Sequence, residues 1–417
     1  MPTVTDRFPP RGLTLGNKCY RFFALHLYVG NILAGSVQKT NARITKALER
    51  AVELGEVGVQ VAAYLGERLI VDAWIGAADP TRGKAVDGDT LFQCFSMIKT
   101  VTFTALHIQV ERGLVEYDAP VARYWPEFGS RGKDRILVRH VLEHRSGVPH
   151  LPAGAHPIDP GYGDWDAMVK GIADLEPLSP PGTESMYQAH SMGWILGTVI
   201  ERTDPKRRGI KQFIEEEILG PLEIEDIFMG LPAEEDRRYA TLVGGPLVLP
   251  PGAPPRIFPQ PDEFNRPSYR RALNVAGSGI MNARAQARLW ALLANRGELG
   301  GVRLLREGRV WSFTQPRPNP LELDAILGYT PYMGVGGYWL GGHYPPAEPG
   351  VGEGCYILCQ TGGGGSIGWA DLESRLAVAI CHNRLFLNQP PVAAEEHPHT
   401  AIGNAVRDLA AEFTSSR

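Results

Sequence analysis

Strand-forming segments are concentrated near the two ends of this chain, and that distribution restricts the folds it can adopt. β-Branched and aromatic runs occupy residues 57–64 and 68–75, and the short segment between them predicts a hairpin turn. Late in the chain, three further runs predict successive antiparallel strands, at 356–360, 366–370 and 376–381. Strands so far apart in sequence share one hydrophobic core only if both chain ends contribute to the same sheet.

A mainly helical block separates these strands. Proline, glycine and short helical patterns alternate through residues 114–273, where strand signals are few. We therefore predict an α+β fold, in which an antiparallel sheet flanked by helices is built from both chain ends and carries an inserted, mainly helical subdomain. The predicted division is an N-terminal extension at 1–38, a sheet domain at 39–113 and 274–417, and the helical subdomain at 114–273.

Composition excludes several classes of partner. The 417 residues carry a net charge of −4 and no basic run of five or more, which argues against a nucleic-acid partner. The apolar run at 22–34 is shorter than the roughly 20 residues of a membrane span, and no clear cleavage site follows it. Five scattered cysteines without a Cys-x-x-Cys pair predict free thiols in a reducing compartment. We expect a cytoplasmic protein without a membrane span, and the sequence leaves its oligomeric state open.

A serine three residues before a lysine is the clearest chemical signal. This spacing places a nucleophile and an activating amine on one helix face, provided that the site lowers the lysine pKa from about 10.4. The motif occurs three times, at Ser36–Lys39, Ser96–Lys99 and Ser130–Lys133. Only the second pair encloses apolar residues and leads into an apolar helix directly after the predicted hairpin. This context favours Ser96 as nucleophile and Lys99 as its activator.

Two other segments could complete an active site. Tyr187 precedes an apolar helix, and a nearby ammonium group could ionise its phenol and make it a base, although a core or surface role is the simpler reading. Residues 362–365 are four glycines between two predicted strands. Their backbone amides could face a developing oxyanion, or they could form only a flexible hairpin.

Together these segments resemble the serine β-lactamase and penicillin-recognising family, and most closely its class C β-lactamase-like esterases, the family VIII carboxylesterases. The resemblance covers roughly residues 40–410 and is carried by five segments in the family's order: 89–99, 112–121, 141–149, 187–189 and 360–362. It implies a β-lactamase/transpeptidase-like fold and an acyl-enzyme on Ser96. It also implies Lys99 and Tyr187 as a joint proton-handling pair, and the amides of Ser96 and Gly363 as the oxyanion hole.

The sequence departs from the family at two positions. Ala189 replaces the asparagine of Tyr-x-Asn, and Gln360 replaces the lysine of Lys-Thr-Gly. These changes remove an amide that would orient a β-lactam side chain and a cation that would attract a carboxylate. The resemblance therefore implies a serine carboxylesterase that cleaves a neutral small-molecule ester or amide and needs no metal or organic cofactor. The substrate-binding residues that it implies are Ala189, Trp339, Gln360, Thr361 and Gly362.

Several alternatives remain open at this point. An acyltransferase, a β-lactamase or a D-aminopeptidase-like amidase would share the same acyl-enzyme. A catalytically inactive binding relative is also possible, although the intact Ser96, Lys99 and Tyr187 argue against it. The segments at 244–267 and 316–354 are candidate pocket walls that would favour a bulky or aromatic group.

Two further motifs suggest different chemistry. Residues 364–368 match the Gly-x-Ser-x-Gly nucleophile elbow with Ser366 as nucleophile, but an elbow needs a helix where this sequence predicts a strand. The His140–His144 segment matches the inverted zinc-protease motif His-x-x-Glu-His. Ser146-Gly147 ends that helix at once and no third ligand is evident, so a buried hydrogen-bonding role for His144 is the preferred interpretation.

Overall fold

The computed structural model describes residues 41–157, 159–244, 261–341, 350–385 and 396–415. The predicted N-terminal extension, with its apolar run and its Ser36–Lys39 pair, lies outside these residues, as do parts of both candidate pocket walls. None of the helices in the described ranges is long and apolar enough to cross a membrane.

The regular elements follow the predicted order of strands, helices and strands. The chain up to residue 229 contains α1 (Ala42–Glu53), β1 (Gly58–Leu65), β2 (Arg68–Asp79), β3 (Lys84–Ala85), β4 (Phe92–Phe95), α2 (Lys99–Glu111), α3 (Val138–Leu142), α4 (Trp165–Ala173), α5 (Ser191–Thr203), α6 (Ile210–Ile214) and β5 (Ile227–Met229). The rest contains α7 (Pro261–Phe264), α8 (Pro267–Arg271), β6 (Gly279–Met281), α9 (Ala283–Ala294), β7 (Glu298–Leu299), β8 (Val302–Arg303), α10 (Glu307–Ser312), β9 (Trp339–Leu340), β10 (Ile357–Thr361), β11 (Ile367–Asp371), β12 (Leu376–His382) and α11 (Pro398–Ser415).

The main sheet joins the two ends of the chain. Its seven strands lie in the order β3-β2-β1-β12-β11-β10-β9, and every pairing is antiparallel. The pairing of β1 with β12 runs from Val59 opposite His382 to Leu65 opposite Leu376. The predicted α+β class, with one antiparallel sheet built from both ends, is therefore confirmed.

Alternation along the central strands gives the sheet two buried faces. In β12, Val378 and Ile380 join a core that also contains residues of α1 and α11, whereas Ala377 and Ala379 join the core on the opposite face with α9. Gly368 in β11 allows α9 to approach closely, since a Cβ atom there would lie 2.0 Å from Nε1 of Trp290. The sheet is consequently covered by helices on both sides.

A second, smaller sheet positions the serine. Its strands lie in the order β4-β6-β5, so residues 92–95 pair with residues 279–281, which also pair with residues 227–229. The chain leaves β4 directly into a 3-10 turn, Ser96–Ile98, which continues as α2. Ser96 therefore lies where a strand ends and a helix begins.

Glu56, between α1 and β1, is a buried carboxylate that links the two chain ends. One of its oxygens bonds with Nδ1 of His382 in β12, and the other bonds with Nε2 of His399 in α11, each at 3.1 Å. Burial alone would raise the pKa of Glu56, but the two histidines outweigh it and bring the pKa down to about 2. An ionised carboxylate thus bridges elements that are more than 300 residues apart in sequence.

We expect Glu56→Gln to destabilise the protein by about 3–5 kcal/mol, because it leaves buried imidazole groups without their carboxylate partner. Urea unfolding at neutral pH measures this loss. Since the folded pKa lies below the unfolded value of about 4.3, the stabilisation is present above that pH and is lost as the pH falls towards 2. The control is Glu53→Gln on the exposed end of α1, which should change stability by less than about 0.5 kcal/mol. Equal losses in both variants would contradict this role.

Candidate active site

Ser96 lies at the start of its turn in a constrained backbone. The preceding residue, Phe95, has φ 48°, a left-handed conformation that is rare for a bulky side chain. The serine is 8% exposed and lines a cavity, whereas Lys99, one turn later, is fully buried. The two side chains are in contact, with Lys99 Nζ 3.1 Å from Ser96 Oγ.

Lys99 has two further partners, which are backbone carbonyl oxygens and can only accept hydrogen bonds. Its Nζ atom donates to the backbone oxygens of Ala189, at 2.8 Å, and Ala276, at 2.7 Å. Burial holds the pKa of Lys99 well below its usual value. Ser96 Oγ and these two carbonyl oxygens surround Nζ. In a neutral amine the two carbonyls would use both N–H donors, and the lone pair would face Ser96. The geometry therefore fits a lysine that accepts the serine proton.

Tyr187 lies on the other side of the serine. Its hydroxyl contacts the side chains of Ser96 and Gln360, and its ring centroid is 5.0 Å from Lys99 Nζ. Burial raises the pKa of Tyr187 to about 12, despite these two hydrogen-bonding neighbours. The raised pKa opposes the sequence hypothesis that a nearby ammonium ionises the phenol. Tyr187 is thus placed to donate a proton.

His144 and Asp324 hold the Tyr187 segment by its backbone. The N–H of Met186 donates to the His144 carbonyl at 2.8 Å, and the N–H of Gln188 donates to His144 Nδ1 at 2.9 Å. Between them, the N–H of Tyr187 donates to Asp324 Oδ1 at 3.1 Å. The rings of His144 and Tyr187 pack with centroids 4.4 Å apart. The backbone N–H groups of Tyr187 and of the residues directly before and after it are therefore all held by hydrogen bonds.

A buried arginine supports this backbone clamp from behind. Arg317 donates to the carbonyl of Glu143 and, at 2.7 Å, to Ser185 Oγ. Ser185 Oγ in turn donates to Asp324 Oδ2 at 2.7 Å. The buried hydrogen-bonding role predicted for His144 is confirmed. Sequence reasoning gave no role to Arg317 or Asp324, which lie in the segment that it marked only as a candidate pocket wall.

The glycine segment after β10 lies against the nucleophile. A Cβ atom at Gly362 would be 2.0 Å from the carbonyl oxygen of Cys94, so only glycine allows this approach. The Gly362 amide donates to Ser366, but no backbone oxygen of the described residues accepts from the Gly363 amide. The Ser96 amide opens its turn and has no intrahelical acceptor by position. Ser96 and Gly363 both line the cavity, so their backbone amides remain the candidate oxyanion hole.

The cavity above Ser96 has a volume of about 230 Å³ and is mainly apolar. The predicted residues on its wall are Ser96, Tyr187, Ala189, Trp339, Thr361, Gly362 and Gly363. Two of its other rings, Phe264 and Tyr329, lie in the segments that were predicted as pocket walls. Sequence reasoning did not single out the remaining rings, which are Phe95, Tyr269 and His190. None of the described residues that line it is lysine or arginine.

Gln360 is the predicted binding residue that does not reach the cavity. It is fully buried, beside the Tyr187 hydroxyl, and its Nε2 atom donates to the carbonyl of Thr361 at 3.0 Å. Gln360 therefore places a neutral amide in contact with the phenol.

The two other candidate serines in the described residues, Ser366 and Ser130, have different surroundings. Ser366 Oγ accepts from the backbone N–H of His382 at 3.2 Å, and the strand β11 follows it instead of the helix that a nucleophile elbow needs. In the third Ser-x-x-Lys pair, Lys133 Nζ donates to the backbone oxygens of Ser130 and Ala173 at 3.0 and 2.9 Å. That lysine stabilises a loop junction.

The two histidines of the zinc-protease motif face different neighbours. His140 Nδ1 accepts from the backbone N–H of Leu137 at 3.2 Å, and its Nε2 atom lies beside Gly182. His144 Nδ1 accepts from Gln188, as described above. Each ring is explained by a local hydrogen bond.

Known proteins share this architecture. The model of a family described as Beta-lactamase matches residues 42–399. The chain is 29% identical to the esterase/beta-lactamase LipL of Mycobacterium tuberculosis, over 85% of this chain and 83% of that protein.

Two solved structures are similar over 89% of this chain and all of theirs. One is a family VIII carboxylesterase, with a TM-score of 0.74 at 25% identity. The other is a penicillin-binding protein homologue from Caulobacter crescentus, with a TM-score of 0.73 at 27% identity. The matched family model spans most of the chain, which therefore belongs to the Beta-lactamase family.

Proposed function

We propose that this protein is a serine carboxylesterase that hydrolyses a neutral ester through an acyl-enzyme on Ser96. The observation that carries the proposal is the environment of Lys99, whose two N–H donors are taken by carbonyls and whose remaining position faces Ser96 Oγ. Relatives that are named esterases support the same reaction class.

Acylation begins with Ser96 Oγ attacking the ester carbonyl carbon while its proton moves to Lys99 Nζ. The carbonyl oxygen becomes an oxyanion that accepts hydrogen bonds from the amides of Ser96 and Gly363. As the tetrahedral intermediate collapses, the C–O bond to the alcohol breaks. The Tyr187 hydroxyl gives its proton to the leaving alkoxide and recovers one from Lys99. An alcohol and an acyl-serine result.

Deacylation uses the same groups in reverse. A water molecule attacks the acyl-serine carbonyl, and its proton passes through Tyr187 to Lys99. The second intermediate collapses to a carboxylic acid, and Ser96 Oγ regains the proton from Lys99. Transfer of the acyl group to an alcohol or amine would differ only in the attacking molecule, so a competing alcohol that yields a new ester distinguishes an acyltransferase.

The charge of the site favours a neutral substrate. No lysine or arginine is among the described residues that line the cavity, and Gln360 replaces the cation that would attract a carboxylate. A β-lactam or a peptide with a free carboxylate would lose the hydration of that charge on binding and would find no cationic partner among those described residues. The free-energy cost of this desolvation is high. A neutral ester avoids this cost.

We expect Ser96→Ala to lower kcat/KM for p-nitrophenyl acetate by roughly 10³-fold or more, because it removes the nucleophile. The matched controls are Ser366→Ala and Ser130→Ala, which should keep nearly all activity. A fluorophosphonate should label Ser96, as located by mass spectrometry of peptides. Activity that survives in Ser96→Ala and is lost in Ser366→Ala would refute the assignment.

The pH dependence should report Lys99. Since the amine must be neutral to take the proton, kcat/KM should fall as the pH drops through its lowered pKa. Lys99→Arg should be inactive at every pH because a guanidinium stays protonated. Tyr187→Phe should lower kcat yet retain the acidic limb of the profile. Loss of that limb in Tyr187→Phe would instead identify the phenol as the base.

The role of His144 can be separated from simple stability. Its φ is 56°, which asparagine tolerates better than leucine, and an asparagine oxygen could still accept from Gln188. We expect His144→Leu to lower kcat about 100-fold through displacement of Tyr187, and His144→Asn to recover part of that loss with little change in KM. Equal kcat losses in the two variants would argue against positioning.

A further inference from the structure

Exposed apolar side chains gather in one loop beside the cavity. Seven large apolar residues are exposed in the described part of the chain, and four of them lie between residues 321 and 329. These are Leu321 at 65%, Leu323 at 63%, Ile326 at 46% and Tyr329 at 38% of full exposure. Isolated exposed apolar residues are ordinary, but a concentration of them marks a contact surface. We call these four residues the apolar rim.

The loop that carries the apolar rim is tightly held. The N–H of Asp324 donates to the carbonyl of Tyr329 at 3.0 Å, and the N–H of Gly328 donates back to Asp324 at 2.9 Å. Asp324 Oδ1 also accepts from the amides of Ile326 and Leu327, each at 2.9 Å. The apolar side chains are thus presented to solvent by a fixed backbone, which limits the entropy lost when a ligand covers them.

The apolar rim is continuous with the active site. Ile326 and Tyr329 line the cavity above Ser96 as well as facing solvent. The carboxylate oxygen that organises the loop is the one that accepts from the Tyr187 amide. Asp324 Oδ1 therefore holds both the loop and Tyr187. A substrate chain that extends out of the cavity past Ile326 and Tyr329 would contact the apolar rim.

The cavity is too small to enclose a large substrate. Its volume of about 230 Å³ is below the roughly 300–1,000 Å³ usual for small-molecule pockets. It can surround the groups next to the reacting carbonyl, while the rest of a larger molecule must lie outside. Because the cavity walls and the apolar rim are both apolar, a hydrocarbon chain is the substrate portion that would fit this surface outside the cavity.

We propose that the natural substrate is an ester with a long apolar chain, whose reacting end occupies the cavity while the far end of the chain lies on the apolar rim. This rests on the ester hydrolysis proposed above and specifies its substrate class. Each methylene group that is fully buried is worth up to about fourfold in kcat/KM. Partial burial on a rim should give about twofold for each added methylene.

The test compares substrates of increasing length. For the wild-type protein, kcat/KM should rise at least tenfold from p-nitrophenyl acetate to the octanoate or decanoate. A parallel series of alkyl acetates shows whether the chain belongs to the acyl or the alcohol side. In the double variant Leu321→Ser/Leu323→Ser, the loss on the long ester should exceed the loss on acetate at least tenfold.

The control is Leu69→Ser, which removes an exposed leucine at the opposite end of the main sheet, where β1 and β2 meet in their hairpin. It should leave the dependence on chain length intact. A wild-type rate that does not rise with length, or rim variants that lose acetate and long-ester activity equally, would overturn the proposal. The proposal would also be overturned if the rim variants lost dimer formation or binding to lipid vesicles while their kcat/KM still rose with chain length. Failure of wild-type protein on every ester would instead reject the ester hydrolysis itself.

Discussion

Burial of one lysine amine is the constraint on which this active site depends. Lys99 is enclosed where three parts of the chain meet, which are the serine turn, the residues after Tyr187 and the approach to β6. Burial alone shifts its pKa downwards, with no opposing contribution from a carboxylate of the described residues. The fold thus favours the uncharged amine and holds it beside Ser96 Oγ. This environment is the basis of the proposal that Lys99 acts as a base.

The rest of the structure holds the reacting groups around that amine. The strained backbone at Phe95 precedes the serine that lines the cavity, and the close approach of Gly362 to Cys94 brings the glycine segment beside it. Both features need a rigid support, because local strain persists only where the surroundings determine it. The main sheet, closed by the pairing of β1 with β12 and by the Glu56 bridge, provides that support from both chain ends.

The fold class and the candidate nucleophile follow from local sequence signals. Period-two runs predict strands, and a Ser-x-x-Lys pair between a predicted hairpin and an apolar helix is recognisable from residue types and spacing. The small sheet of β4, β6 and β5 was not predicted, because strands of three or four residues carry too little alternation to detect. A buried hydrogen-bonding role for His144 was predicted, but the clamp that it forms with Asp324 and Arg317 was missed for a different reason. Its residues lie in irregular segments and meet only through tertiary contacts, which no local pattern encodes.

The charge state of Lys99 tests the central claim most directly. Protein labelled with ¹³C at the lysine Cε position allows each amine to be titrated by NMR, and Lys99→Arg assigns the signal. The structure predicts that the Lys99 signal reports a neutral amine at neutral pH and titrates far below about 10.4, in the range of the acidic limb of kcat/KM. A Lys99 that remains charged up to its ordinary pKa would contradict the proposal that this lysine activates Ser96.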